Sequence, residues 1–553
     1  MKTGSCNLLL LLFSERYLLI SSSYPTYGLI TTALGIIFLV LCLLVVAFFF
    51  YYGGIRSQAK KNKAGSDVRW LFRIIFIMFI AVYGYQATWQ LAGFARPSFM
   101  AFMRTYSRRP INPAKETLRG RILDRNGVEL AVNDGENTLK RKYPFDKGFC
   151  HLVGYMDTMF GLAGLEAADN AFLDGYSLTS AVEVGRFGLN IVNHRRVGGN
   201  DLVLTVDSVL QKEAVRLLGK RRGAVVALQP HDGSILVLAS SPGYNPQALK
   251  GTLFDDERDD SSPLMNRAIH GLYPPGSIFK IVVAALALEK GFSERLDCPA
   301  QGYVPAGGRY RPVRDHEYYA FEKRGETWQG RGRIGIEEAF VFSSNVYFAQ
   351  LGVRLGNGQL NEIAQRFLFN RPIALFEGSS GSMTARPGKW PELNGKHMGN
   401  VAQQAIGQGA ILVTPLQMAL ITAAIAQDGE LYAPRIASRI PPRLLGRPTD
   451  PAVAQKLKVL MRNTVERGTA VGARIKGPSI AGKTGTAQVP DGADHSWFVC
   501  FAPVERPAIA LAVLIEHGGY GAASALPVAV ELVKKAKGLG LLETQDTQTM
   551  GTK

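Results

Sequence analysis

Ser277 and Lys280 stand three residues apart at the head of an apolar stretch that follows Tyr273-Pro274-Pro275-Gly276, runs to Leu288 and closes on Glu289-Lys290-Gly291. A stretch apolar on nearly every side predicts a buried helix. Residues three apart share one helical face, so the Ser277 hydroxyl and the Lys280 amine can meet at the first turn. An ammonium placed there loses its water, its pKa falls, and the neutral amine can take the serine proton. That pairing is an activated nucleophile. Further along, Ser343-Ser344-Asn345 follows a predicted helix over 336–342. Ser343 offers a hydroxyl for proton relay and Asn345 an amide to orient the lysine or a substrate, although the triplet alone reads more readily as a helix N-cap. Ala481-Gly482-Lys483-Thr484-Gly485-Thr486 falls in a predicted strand. Gly485 would let a ligand backbone approach closely, and Lys483, Thr484 and Thr486 can hold a carboxylate.

Each pattern is common by itself, since a chain of 553 residues should hold roughly two Ser-x-x-Lys matches by accident. Ser57 and Lys60 are one such accident, in a charged segment with no buried helix to strip the amine of water. Ser5-Cys6-Asn7 and Lys2-Thr3-Gly4 copy the other two patterns at the N-terminus. What separates signal from noise is the order of the three groups and their placement on a helix, a loop and a strand.

The elements that must position them can be read outward. Gly223 to Gln229 and Ser234 to Ser240 are apolar strand-like runs joined by Pro230-His231-Asp232-Gly233, a hairpin signal. Ser479 to Gln488, Ser496 to Ala502 and Ala508 to Glu516 predict three more strands, with a last helix over Pro527 to Lys537. Strands from both ends of a domain with helices between them predict an α/β (α+β) fold, an antiparallel five-stranded sheet flanked by helices. Residues 201–540 form this domain, residues 541–553 a loose tail, and residues 109–200 a small β-rich module of short strands and loops around Arg119-Gly120-Arg121-Ile122-Leu123-Asp124-Arg125-Asn126-Gly127.

Residues 1–108 predict a membrane anchor with two candidate transmembrane helices, about 29–52 and 74–94, each apolar over roughly 20 residues. Arg56, Lys60, Lys61, Lys63 and Arg69 between them face only Asp67, which argues for a cytoplasmic loop and an extracytoplasmic remainder, against the pull of Arg96, Arg104, Arg108 and Arg109. The net charge of +18 is spread along the chain without a helix-turn-helix or aromatic-interleaved pattern, so it suits anionic lipid or wall polymer and not nucleic acid. The Gly/Arg-rich stretch Lys323 to Arg333 reads as a solvated loop. Cys6, Cys42, Cys150, Cys298 and Cys500 include no short-spaced pair, and His316-Glu317 lacks a second histidine at i+4, so neither a metal site nor a disulfide framework is indicated.

Taken together the three groups resemble the signature of penicillin-binding proteins and serine β-lactamases, and from about Arg119 to Lys537 the chain is similar to class B penicillin-binding proteins. The likeness includes the Arg119 to Gly127 run, Gly164-Leu165-Glu166, Leu204-Thr205-Val206-Asp207, Ala405-Ile406-Gly407-Gln408-Gly409, Val413-Thr414-Pro415-Leu416-Gln417 and His495-Ser496-Trp497-Phe498. The resemblance implies a peptidoglycan D,D-transpeptidase that needs no cofactor or metal, in which Ser277 attacks the bond between the terminal D-alanines of a stem peptide and Lys280 is the base. It implies an oxyanion hole from the backbone N–H groups of Ser277 and Thr486, carboxylate binding by Lys483, Thr484, Gly485 and Thr486, and proton relay by Ser343 and Asn345. Penicillins would be trapped on the same serine. A D,D-carboxypeptidase, a β-lactamase or a β-lactam sensor would share these residues, and a non-catalytic scaffold of a wall-synthesis complex is the alternative of another class. Pro391-Glu392-Leu393-Asn394 is preceded by Trp390, which cannot activate the water a class A β-lactamase needs. The resemblance places the catalytic domain outside the plasma membrane, with a separate membrane glycosyltransferase as partner because residues 95–200 are too few for a second catalytic domain.

Overall fold

The computed structural model describes residues 76–80, 82, 84, 118–135, 137–157, 159–175, 199–250, 261–306, 310–393 and 397–543. The chain divides into two compact units, residues 1–107 and 108–553. In the first, the described residues 76–80, 82 and 84 are helical. The candidate span 29–52, the rest of the span 74–94 and the tail beyond 543 lie outside the described residues. Among the described residues no helix is long and apolar enough to cross a membrane.

The second unit opens with β1 (Ile122–Leu123), β2 (Glu129–Asp134) and β3 (Asn137–Lys142), which join β4 (Leu202–Val203) in a sheet of order β3-β2-β1-β4. The Asp124 carboxylate shapes the β1–β2 turn by accepting from the backbone N–H groups of Asn126 and Val128 at 2.7 and 2.8 Å. Gly127 completes that turn at φ +83°. Expected to be β-rich, this module is in fact part helical, with short helices at Cys150–Val153, Gly164–Ala168 and Asn170–Leu173. The four residues Cys150 to Val153 are all buried, a continuous burial that a strand with one solvated face does not give. At its centre Glu166, fully buried, accepts from Arg119 Nε and Arg141 Nε, both at 2.7 Å.

The larger part of the unit starts with α1 (Ser208–Leu218), capped by Asp207, whose carboxylate accepts from the N–H groups of Val209 and Leu210. Strands β5 (Gly223–Leu228) and β6 (Ile235–Ser241) follow. Helices come next, among them α2 (Lys280–Glu289), α3 (His316–Lys323), α4 (Ile336–Val341), α5 (Asn345–Leu355), α6 (Met398–Ala405), α7 (Pro415–Ala426) and α8 (Pro451–Arg467). The chain then returns through β7 (Ala481–Ala487), β8 (His495–Ala502) and β9 (Ile509–Ile515) to α9 (Ala525–Gly538). The sheet is antiparallel throughout in the order β7-β8-β9-β5-β6, so β7 is an edge.

Both faces of this sheet are covered, and strand alternation sorts the side chains between them. Val226, Leu228, Trp497, Val499, Ala512 and Leu514 join the core that contains α2 and α7. Val225, Ala227, Phe498, Cys500, Leu511 and Val513 join the core under α1 and α9. Because α2 and α7 lie inside the first layer, they are buried on every side: all twelve residues of α7 are buried, as are Lys280 to Ala287 in α2. One expectation fails here. Within the Gly/Arg-rich stretch, Gly330–Ile334 is not a solvated loop but a strand paired with Leu296–Pro299. Its Arg331 side chain is 13 % exposed and turned towards Asp315 and Glu317, so charge pairing draws inward a residue that composition alone leaves in water.

Candidate active site

Ser277 does not begin an α-helix. It sits in a 3-10 turn, Gly276–Phe279, that runs directly into α2 at Lys280, whose N–H reaches the carbonyl oxygens of Ser277 and Ile278. The tighter turn follows from the residues before it: Pro275 removes an N–H and Gly276 adopts φ +56°. The turn is clamped from two sides, since Gly276 N donates to Gly407 O at 2.8 Å and Trp497 Nε1 donates to Pro274 O at 3.0 Å. A Cβ on Gly276 would lie 2.5 Å from Thr486 O, and one on Gly407 1.9 Å from Gly276 O. A Cβ on Gly485 would meet Ile278 at 2.9 Å and Pro275 O at 3.1 Å. Edge strand β7 therefore lies backbone to backbone against the Ser277 turn.

Lys280 is fully buried, yet its amine is well supplied with acceptors. Nζ donates to Ser343 O at 2.7 Å, Asn345 Oδ1 at 2.8 Å and Ser343 Oγ at 3.3 Å. Burial pushes its pKa down to about 7, with Arg331 adding to the fall while Asp315 and Glu317 oppose it. Ser343 links α4 to α5 at φ +60°, a left-handed conformation that serine seldom adopts, and this aims both its carbonyl and its hydroxyl at Lys280. Ser344 is the true N-cap of α5, its hydroxyl accepting from Tyr347 N at 3.2 Å. The cap reading thus holds for the middle residue of the triplet and leaves its neighbours turned to the amine.

On the other wall, Lys483 is also fully buried, its Nζ donating to Thr484 O at 3.2 Å and lying 5.8 Å from the centre of the Phe340 ring. Its pKa is driven well below the ordinary lysine value, by burial first and then by the like charge of Lys280. Thr484 and Thr486 alternate with it along β7. The Thr484 hydroxyl bonds that of Thr469 at 2.7 Å, and Thr486 Oγ1 accepts from Gly521 N at 3.4 Å.

The structure thus brings Ser277, Lys280, Ser343, Asn345 and the Lys483 to Thr486 strand together where the Ser277 turn, β7 and the start of α5 meet. It also adds residues that were not singled out in the sequence. Thr469, just after α8, reaches Thr484, and Gly468 beside it has no room for a Cβ because Val341 O would be 2.3 Å away. Asp315 is 3 % exposed and accepts from the N–H of Asn345 at 2.6 Å. Its place before α3 looks in sequence like an ordinary N-cap, although the side chain makes no cap bond to its own helix.

A serine on a clamped turn, a buried amine held beside it, and an edge strand bearing a second buried amine define a serine acyl-transferase of the penicillin-recognising type. Comparison with known proteins agrees. The penicillin binding protein transpeptidase domain matches residues 223–535, and the penicillin binding protein A dimerisation domain matches residues 119–200. The peptidoglycan D,D-transpeptidase PbpA of Mycolicibacterium smegmatis is 31% identical over 422 residues, covering 70% of this chain and 81% of that protein. The peptidoglycan D,D-transpeptidase MrdA of Acinetobacter baumannii is 30% identical over 452 residues, and there the match spans 70% of this chain but only 65% of the relative's length. Among solved structures, the ceftriaxone acyl-enzyme complex of penicillin-binding protein A from M. tuberculosis aligns with a TM-score of 0.67 at 28% identity, covering 76% of this chain and 99% of that one. The chain belongs to the penicillin-binding protein transpeptidase family, as a class B member.

Proposed function

We propose that this protein is a membrane-anchored peptidoglycan D,D-transpeptidase that crosslinks stem peptides outside the plasma membrane and is acylated by β-lactams at Ser277. The observation that carries this reading is the Lys280 amine, fully buried, held by Ser343 and Asn345 at one end of the Ser277 turn and pushed down to about 7. An amine in that state is half neutral near physiological pH and can act as a base.

Ser277 Oγ attacks the carbonyl carbon between the two terminal D-alanines and its proton passes to Lys280 Nζ. The tetrahedral intermediate places its oxyanion at the backbone N–H groups of Ser277 and Thr486, where charge develops. Contact between the Gly276 turn and Thr486 supports that pairing. When the C–N bond breaks, the proton moves from Lys280 to the departing nitrogen, with Ser343 as relay. The terminal D-alanine leaves and an ester on Ser277 remains. An amine from a neighbouring stem peptide then attacks the ester carbon and gives its proton to Lys280, which passes it to Ser277 Oγ as the C–O bond breaks, restoring the free hydroxyl and the neutral amine. Lys483, Thr484 and Thr486, with the close approach allowed at Gly485, receive the terminal carboxylate, while Asn345 positions the peptide.

The apolar runs 29–52 and 74–94 support membrane anchoring. A separate membrane glycosyltransferase would then supply the glycan strands whose peptides are joined. The test is labelling of the full-length protein with a fluorescent penicillin, followed by incubation of the acyl-enzyme with an acceptor amine. Wild type is expected to carry the label and Ser277→Ala none; transfer to the amine in preference to water marks a transpeptidase and separates it from a carboxypeptidase. Label on Ser277→Ala, or none on wild type, would refute the assignment.

A further inference from the structure

Asp315 stands at the head of α3, yet its carboxylate turns away from that helix and crosses to the N-terminus of α5. Oδ1 accepts from Asn345 N at 2.6 Å, from Val346 N at 3.0 Å and from Ser344 Oγ at 3.0 Å, and Oδ2 lies 3.1 Å from the same hydroxyl. Arg331 Nε stands 3.3 Å from Oδ2, an ion pair without the alignment of a hydrogen bond. The preceding carbonyl, Arg314 O, accepts from Asn345 Nδ2 at 3.1 Å. Residues 314 and 315 therefore grip Asn345 by its backbone N–H and by its amide nitrogen. Its remaining polar atom, Oδ1, is left aimed at Lys280.

The grip has a physical rationale at each point. The first N–H groups of a helix have no partner within it, and a carboxylate placed there satisfies them while complementing the positive end of the helix. Charge-assisted bonds of this length are roughly twice as strong as neutral ones. They are needed because Ser343, immediately before the gripped residues, is held at φ +60°, a conformation that would relax if the loop were free. Ser343 O and Asn345 Oδ1, the two shortest contacts of Lys280, both belong to this loop.

We propose that Asp315 is a positioning residue for the acyl-transfer step: its buried carboxylate ties the Ser343 to Asn345 loop against Lys280 Nζ. Its hydrogen bonds and ion pair go to Ser344, Asn345, Val346 and Arg331, not to Ser277 or to the strand expected to hold the peptide. The inference rests on the acylation reading above and adds to it a second consequence of the same carboxylate. Lys280 faces Asp315 and Glu317 from the α3 side, Arg331 from the strand Gly330–Ile334 and Lys483 from β7. Asp315 is the foremost of the charges that favour the protonated amine. Without it, burial and Arg331 act against a weaker opposition, so the amine loses its proton at lower pH.

A purely structural anchor would lower the rate at every pH by one factor; a positioning carboxylate beside the base also moves the profile. The experiment compares full-length wild type, Asp315→Asn and Ser344→Ala for the second-order rate of Ser277 acylation by a fluorescent penicillin between about pH 5 and 9. For Asp315→Asn the plateau rate is expected to fall about ten- to a hundredfold, and the acidic limb to shift to lower pH. Ser344→Ala keeps the carboxylate and removes one of its anchors, so its plateau falls less and its acidic limb stays in place. Should Asp315→Asn fail to fold, Ser344→Ala with an unchanged plateau overturns the proposal. Folded Asp315→Asn with wild-type plateau, or with an unmoved acidic limb, overturns it as well. Labelled wild type beside such a variant refutes this inference alone, whereas unlabelled wild type refutes the acylation reading with it.

Discussion

Acylation of Ser277 by a fluorescent penicillin should rise tenfold per pH unit on the acid side and level off near pH 7, because the base that starts the reaction is the neutral Lys280 amine with a pKa of about 7. The magnitude follows from its burial. At neutral pH about half of the amine is free of its proton, and at roughly pH 5 only about 1 % is. A solvated lysine at 10.5 would be neutral in about one molecule in 3,000 at pH 7, and its rate would still be climbing beyond pH 9. Stopped-flow measurement of the second-order acylation rate over that range, with a penicillin whose own groups do not titrate there, distinguishes the two shapes. A rate that keeps rising tenfold per unit past about pH 9, or one flat from pH 5, would refute the idea that an unwatered amine activates the serine. The sign for stability follows from the same shift. The folded pKa lies below the unfolded one, so the unfolded chain binds more protons between about 7 and 10.5 and this group's contribution rises with pH across that window. Below it both states are protonated and the full penalty of burying the charge remains.

Gly276→Ala would place a methyl 2.5 Å from Thr486 O at a φ of +56°, and should lower the acylation rate by about tenfold or more while thermal unfolding shifts by roughly 1–3 kcal/mol; a wild-type rate would show that β7 yields. Glu166→Gln leaves Arg119 and Arg141 buried without their shared carboxylate, so a loss of about 3–5 kcal/mol in denaturant unfolding is expected. Burial alone would push the Glu166 carboxyl up, but the two arginines outweigh it and hold it below the ordinary range. Its stabilisation is therefore present above the unfolded carboxyl pKa and vanishes as pH falls through the lower folded value, which an acid-unfolding comparison of the two proteins would show. Burial and the like charge of Lys280 hold the Lys483 pKa well below the ordinary lysine value, and a bound carboxylate raises it again, so binding of a peptide ending in a free carboxylate should be accompanied by proton uptake. Calorimetry in two buffers of different ionisation enthalpy would measure the uptake, and a buffer-independent enthalpy would exclude it.

Much of the site could be read from local pattern, because its parts are local. Ser277 and Lys280 are one turn apart, Ser343 and Asn345 flank one residue, and Lys483 to Thr486 run along one strand. Local pattern likewise located the five strands to within two residues at their ends: four carry largely apolar runs, and the fifth is marked by Lys483-Thr484-Gly485 between alanines. The form of the nucleophile turn was less legible: a spacing of three suits both an α-helix and the tighter turn that Pro275 and Gly276 impose. Least legible were Asp315, Arg331 and Thr469, which act through partners 11 to 31 residues away. Nothing in their own neighbourhoods marks them. Asp315 imitates a cap, and Arg331 sits among glycines and arginines whose composition predicts solvent.

The pair of glycines packed back to back at positions 276 and 407 sets a boundary on what variation can do to this enzyme. With main chain pressed on main chain at the nucleophile, no side chain there can be enlarged to turn an inhibitor away. Insensitivity to a drug would have to arise farther out, in the groups lining the rim, or in the ease with which neighbouring segments shift. The innermost few ångströms are a fixed die, and adaptation is confined to the mould around it.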